Sequence, residues 1–218
     1  MATDVDICNL ALGLLGDSAN VTSINPPDQS VQAGHCSRFY PIARDALLEM
    51  HTWGFATTRV SLAQVATNPT STWQYAYAVP TDALNLLEII DPNASDDYSV
   101  GLQLAMSIPT VVQAGVGVYQ SQPFAVENDL ILTNQQNAVL RYTQTITDTS
   151  QFSPLFVNGL SVLLASYLAG PLIKGQEGRN AAQQMQAAFF KWKEYAVESD
   201  SNQRSIKPMP GAAWMVNR

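Results

Sequence analysis

Two histidines and two cysteines in 218 residues leave little from which to build a nucleophilic or metal-binding site. A Ser-His-Asp or Cys-His arrangement needs an imidazole within reach of a nucleophile. His35 and His51 both fall on one predicted helix, about 24 Å apart along a straight axis, so they cannot share a metal ion unless that helix breaks. Charged residues are scarce too, at 13%. Residues 1–150 carry four basic and fourteen acidic side chains, a balance of −10, whereas residues 151–218 carry seven and four, a balance of +3. An acidic body excludes tight nucleic-acid binding by counterion release, which needs clustered Lys and Arg. No run of eighteen apolar residues occurs, and MATDVDICNLALGLLG places two aspartates where a signal peptide has basic residues. The expectation is a soluble, unexported chain with Cys8 and Cys36 as small buried hydrophobes; a disulfide between them is the alternative.

What the sequence does have is packing material. With 46% hydrophobic residues it can bury one large core or two small ones. Val5, Cys8, Leu12 and Leu15 share one face of a helix over residues 4 to 15, capped by Thr3 or Asp4 and stopped by Gly16. A polar loop with Pro26-Pro27 follows over residues 16–29, read as an exposed connector, and Ser30 caps a second helix. In that helix Cys36, Phe39, Tyr40, Ala43, Leu47 and Met50 recur at threes and fours, with a second row of Ile42, Ala46 and Trp53 beside them. Pro41 predicts a bend near residue 37. Trp73, Tyr75 and Tyr77 then alternate as in a strand, and Leu87 to Ile90 resumes it. Asn128-Asp129 and Asn134 to Asn137 bracket LILT as the turns of an antiparallel hairpin with AVLRYTQTI. Residues 91–107 read as a long loop and 108–119 as a further strand.

Ser153-Pro154 opens a nearly all-apolar helix, Leu155 to Leu168, which Gly170-Pro171 is expected to interrupt. After Gly175 and Gly178 a last helix carries Ala182, Met185, Phe189, Trp192 and Ala196 on one face. The tail from 199 to 218 holds Met209, Trp214 and Met215, large apolar groups suited to anchoring in a partner or folding back on the chain. Lys191, Lys193, Arg204, Lys207 and Arg218 make this end basic, which suits an acidic partner or a solvated surface.

Motifs that imitate chemistry fail in detail. Asp91, Asn93, Ser95 and Asp97 copy the first ligand positions of a calcium loop, but Asp96 replaces its glycine and Leu102 its bidentate glutamate. Gly115-Val116-Gly117 lacks the third glycine and the helix of a dinucleotide loop. Asp45 with Glu49, and Asp96 with Asp97, are carboxylate pairs of the kind a glycoside hydrolase uses; eighteen acids always offer such pairs, and a solvated face or turn accounts for them.

In order along the chain, ICNLALGLLG, CSRFYPIARDALLEMHTWGFAT, WQYAYAVPTDAL and SPLFVNGLSVLLASYLAGPL resemble the head-to-tail adaptor family of short-tailed bacteriophages, also called tail tubular protein A. The resemblance covers residues 5 to 197, through a helix ending W-x-F-A, a Y-x-Y-x-x-P-x-D turn and a PLF-led helix rich in Leu and Ala. It implies a virion protein: a ring of twelve copies between the portal protein and the tail nozzle protein, through which genomic DNA passes unread. It also implies that the C-terminal segment meets the portal, with Arg204, Lys207, Met209, Trp214 and Met215 as docking residues. The expected fold is α+β: a four-helix bundle from 1–60 and 150–198, a β-rich insert with an antiparallel sheet over 61–149, and an extended C-terminal tail over 199–218 whose removal from residue 200 leaves the fold intact. No catalytic, cofactor-binding or metal residue is assigned. The alternatives are a cell-wall or small-molecule hydrolase using acids of the insert, and a free-standing monomeric binding module.

Overall fold

Pro154–Ile173 is apolar on nearly every face, and a helix of that kind must be covered all round. In the computed structural model, which describes residues 2–17, 20–65, 72–90, 92 and 122–203, it is the central helix of one of two compact units. That unit spans Met1–Thr57 with Thr143–Gln203; the other spans Thr58–Tyr142. The chain is α+β, with four helices and two three-stranded antiparallel sheets among the described residues.

The helices of the first unit are α1 (Asp4–Leu14), α2 (Val31–Glu49), α3 (Pro154–Ile173) and α4 (Gly175–Ser201). Each of α1, α2 and α4 packs on α3, while α1 and α2 scarcely touch. By length and composition α3 could cross a bilayer, yet 61% of its most apolar window is buried by its neighbours. Starts are encoded locally. Thr3 forms a capping box with Asp6, Ser30 accepts from the Ala33 amide, and Ser153 accepts from the Phe156 amide ahead of a proline in the first turn. Gly16 follows α1 at φ 77°, the left-handed stop expected of it.

Several expectations change. The second helix ends at Glu49, so Trp53 is not part of its second row. Trp53 instead follows a turn, 1% exposed, with its indole N–H donating to the Leu47 carbonyl at 2.8 Å. There it meets Phe156 edge-on at 5.1 Å, and Phe55 and Phe152 complete an aromatic cluster. Helical turns continue on both sides of Pro41. Gly170-Pro171 does not end α3, which runs on to Ile173; the break comes at Lys174 and Gly175, with φ of 60° and 62°. The connector before α2 is tied down as well as exposed. Val21 and Ile24 are buried, and the Asn9 side chain exchanges two hydrogen bonds with the Val21 backbone at 2.8 and 2.9 Å. Cys8 and Cys36 are free and fully buried. The Cys8 thiol hydrogen-bonds Cys36, and this together with burial holds it far above the ordinary thiol range.

In the second unit, β1 (Thr57–Ser61), β6 (Val139–Gln144) and β3 (Ala83–Ile90) form one sheet in that order, and β2 (Tyr75–Ala78), β5 (Leu130–Thr133) and β4 (Phe124–Glu127) form the other. Asn128 and Asp129, at φ of 49° and 60°, close a two-residue hairpin between β4 and β5. The expected pairing of LILT with the following strand is therefore wrong: β5 pairs with β4 and β2, and the turn at Asn137 carries the chain to the other sheet. Tyr77 and Ile131 from one sheet share a core with Ile89, Leu140 and Tyr142 from the other. Its polar tips are satisfied. The Tyr77 hydroxyl donates to the Gln135 carbonyl at 2.8 Å, and Tyr142 donates to Asp82 at 3.1 Å, its phenol pushed up by burial and by that carboxylate. The expected loop at 91–107, apart from Pro92, and the strand at 108–119 lie outside the described residues.

Two measurements check this packing. A Cβ on Gly178 of α4 would lie 3.0 Å from the Ala169 carbonyl oxygen of α3. Gly178→Ala therefore lowers stability by about 1–3 kcal/mol through overpacking, although helix propensity alone predicts a gain of about 1 kcal/mol; urea denaturation decides the sign. Asp28 accepts from the hydroxyls of Ser30 and Thr22 and from the Thr22 amide at 2.7 Å, which hold its carboxyl well below the usual range. A depressed carboxyl stabilises the fold above the unfolded carboxylate pKa of about 3.9 and loses that contribution as pH falls toward its folded value. Asp28→Asn accordingly lowers stability at pH 6 and flattens the acid limb of a stability–pH curve below pH 4.

Candidate functional site

Each histidine has a structural neighbour. His35 lies on α2 and stacks on Phe39 with ring centroids 6.3 Å apart. His51 lies beyond the end of α2, so the two do not share a helix as expected. The His51 Nε2 sits 3.2 Å from a carboxylate oxygen of Asp200, and its ring meets Trp53 edge-on at 4.8 Å. Asp200, 7% exposed in the last turn of α4, also accepts from the Gly54 amide at 2.9 Å. This His-Asp contact ties the end of α4 to the turn after α2. It went unseen in the sequence because 149 residues separate the partners. The His51 ring thus meets a carboxylate on one side and an indole on another. Among the described residues no group of three His, Cys, Asp or Glu side chains could hold a metal ion.

The carboxylates go to ordinary partners. Asp45 accepts from the Arg44 guanidinium at 2.8 Å, and Glu88 accepts from Arg141 at 2.7 Å. The carboxylate pair at Asp96 and Asp97, the calcium-like run from Asp91 and the Gly115-Val116-Gly117 bend all lie outside the described residues. So do the expected docking residues Arg204, Lys207, Met209, Trp214 and Met215.

What the helical unit displays is apolar surface. Leu10 and Leu14 on α1 are 49% and 46% exposed, Ile42 on α2 is 55% exposed, and Phe190 and Tyr195 on α4 are 52% and 58% exposed. Ile42, part of the second apolar row read from the sequence, thus faces solvent in this chain. Leu10, Gly13 and Leu14 form one wall of a groove of about 320 Å³. Trp192 forms the other wall, and Asn158, Ser161 and Val162 of α3 line the floor. Tyr195 meets Trp192 edge-on at 6.2 Å. The lining carries no charge and no titratable group, so the groove suits an apolar side chain and supplies nothing for acid–base chemistry.

No protein-family profile matches this chain, and no curated protein matches it.

Asp200 changes where the tail can be cut. Loss of its hydrogen bonds in Asp200→Ala costs about 2 kcal/mol, as for bonds to a charged group, and thermal unfolding reads it as a lowered midpoint. Removal from residue 200 onward therefore destabilises the helical unit.

Proposed function

We propose that this chain is a structural, non-enzymatic virion protein, the head-to-tail adaptor of a short-tailed bacteriophage. Copies form a ring, twelve by the family's pattern, between the portal protein and the tail nozzle protein, and the genome passes through it on ejection. In this reading α1 to α4 act as a four-helix bundle, the β-rich unit is its insert, and residues 204–218 reach the portal as an extended tail.

One observation carries the proposal. Every helix of the first unit presents a large apolar side chain to solvent in the isolated chain: Leu10 and Leu14, Val31 and Ile42, Ile173, then Phe190 and Tyr195. Among them Leu10 and Leu14 stand together at the groove, and contacts between copies would cover such a patch. A heterologous contact repeated by a fixed rotation closes into a ring. The charge balance of −10 over residues 1–150 supports a passage for DNA, because an acidic lining lets a duplex slide where a basic one would hold it. The order of sequence pieces from ICNLALGLLG to SPLFVNGLSVLLASYLAGPL supplies the family.

Electron microscopy of the chain mixed with isolated portal particles tests this directly. The expected image is a closed ring of copies on one face of the portal, reduced at least tenfold in occupancy when residues 204–218 are removed. Portal particles left bare by the full chain contradict the adaptor reading; rings formed equally well without residues 204–218 contradict the docking role of Trp214 and its neighbours.

A further inference from the structure

Cys8 and Cys36 are the chain's only cysteines, and the fold brings them together. Cys8 lies on the buried face of α1 and Cys36 on the buried face of α2. Both are fully buried, and their thiols hydrogen-bond each other although the two helices scarcely touch elsewhere. We propose that this pair is a redox staple: a dithiol while the chain is made in a reducing compartment, and a disulfide joining α1 to α2 once the assembled particle meets an oxidising medium. The change of compartment rests on the virion reading above; the chemistry rests on the thiol contact alone.

Closing the bond draws two sulfurs that already touch to about 2.05 Å. The helix that moves to meet this is α1, the first of the chain, which packs on α3 and hardly on α2. The loop so closed runs from residue 8 to residue 36, and the Asn9 side chain already folds it back by holding the Val21 backbone. A disulfide there removes freedom from the unfolded chain and pins α1 against opening. The oxidant is a small disulfide such as glutathione disulfide. The Cys8 thiol keeps its proton and donates it toward Cys36, so Cys36 is the sulfur that ionises first. Its thiolate attacks one sulfur of the reagent, the reagent's S–S bond breaks, and one reagent thiol leaves with the proton from Cys36. The Cys8 sulfur, giving up its own proton, then displaces the second reagent thiol from the mixed disulfide at Cys36. Two protein thiols are thereby oxidised to one disulfide, and the reagent is reduced to two thiols that carry both protons. Because both sulfurs are buried, the first attack waits for local opening of α1.

Incubation of the full-length chain with glutathione disulfide, free and bound to portal particles, tests the staple. Thiols are counted after unfolding in guanidinium, and the linkage is read by mass spectrometry of the peptides. The expected product is a monomeric chain in which residues 8 and 36 are joined, no thiol remains, and the thermal midpoint is raised by about 5 °C or more. Dithiothreitol should restore both thiols and the original midpoint, and Cys8→Ala or Cys36→Ala should abolish the rise. Two thiols that persist in the oxidant until the chain unfolds overturn the proposal. So do mixed disulfides or cross-linked dimers in place of the internal bond, or a joined chain with a lowered midpoint. If rings form on the portal and their thiols stay free in the oxidant, the staple is wrong and the adaptor reading stands. If the internal bond forms and the portal is not bound, the dithiol chemistry stands and the adaptor reading falls.

Discussion

The need to cover α3 on every side organises the helical unit. Eleven of its residues are buried, from Phe156 to Ala169, and burying each large side chain contributes about 1.5–3 kcal/mol. No single helix can cover a cylinder of that kind. Three helices do so here, with a close approach at Gly178 and an aromatic cluster of Trp53, Phe55, Phe152 and Phe156 against the same helix. The caps at Thr3, Ser30 and Ser153 and the clasp at Asp200 hold the ends of the elements that do the covering.

Covering α3 with three helices has a second consequence. The inner faces of α1, α2 and α4 are spent on α3, so apolar residues on their outer faces have nothing to meet within the unit. Leu10, Ile42 and Phe190 are the clearest cases. A monomer that works alone is expected to keep such residues few and scattered. Here they sit on several helices, and on α1 and α4 they frame an uncharged groove. Three side-chain pairs are tied into the structure: Arg44 with Asp45, Arg141 with Glu88, and His51 with Asp200.

Much of the helical unit was legible in the sequence because its signals are local. A cap three residues before an apolar row, a serine-proline opening and a glycine stop each act within one turn, and α1 and the start of α3 follow them closely. Signals failed where long-range partners decided. Trp53 kept helical spacing but left the helix, since its indole found the Leu47 carbonyl and the ring of Phe156. Pro171 and Gly170 looked like a break, yet the last turn of α3 accommodates them. Asn134 to Asn137 read rightly as a turn, but which strand it served depended on sheet pairing that no local pattern records. The surface was less legible still. Periodicity put Ile42 in a second apolar row without saying what covers it, and neither the groove nor the Asp200 clasp has a signature short enough to read along the chain.

If the outer faces of α1 and α4 are built for neighbouring copies, assembly must shield them. Amide hydrogen exchange, compared between the free chain and the chain assembled on portal particles, tests this most directly. The predicted result is new protection over residues 6–14 and 186–195, with α3 unchanged because its own unit already shields it. Assembly that leaves α1 and α4 exchanging as they do in the free chain would contradict it.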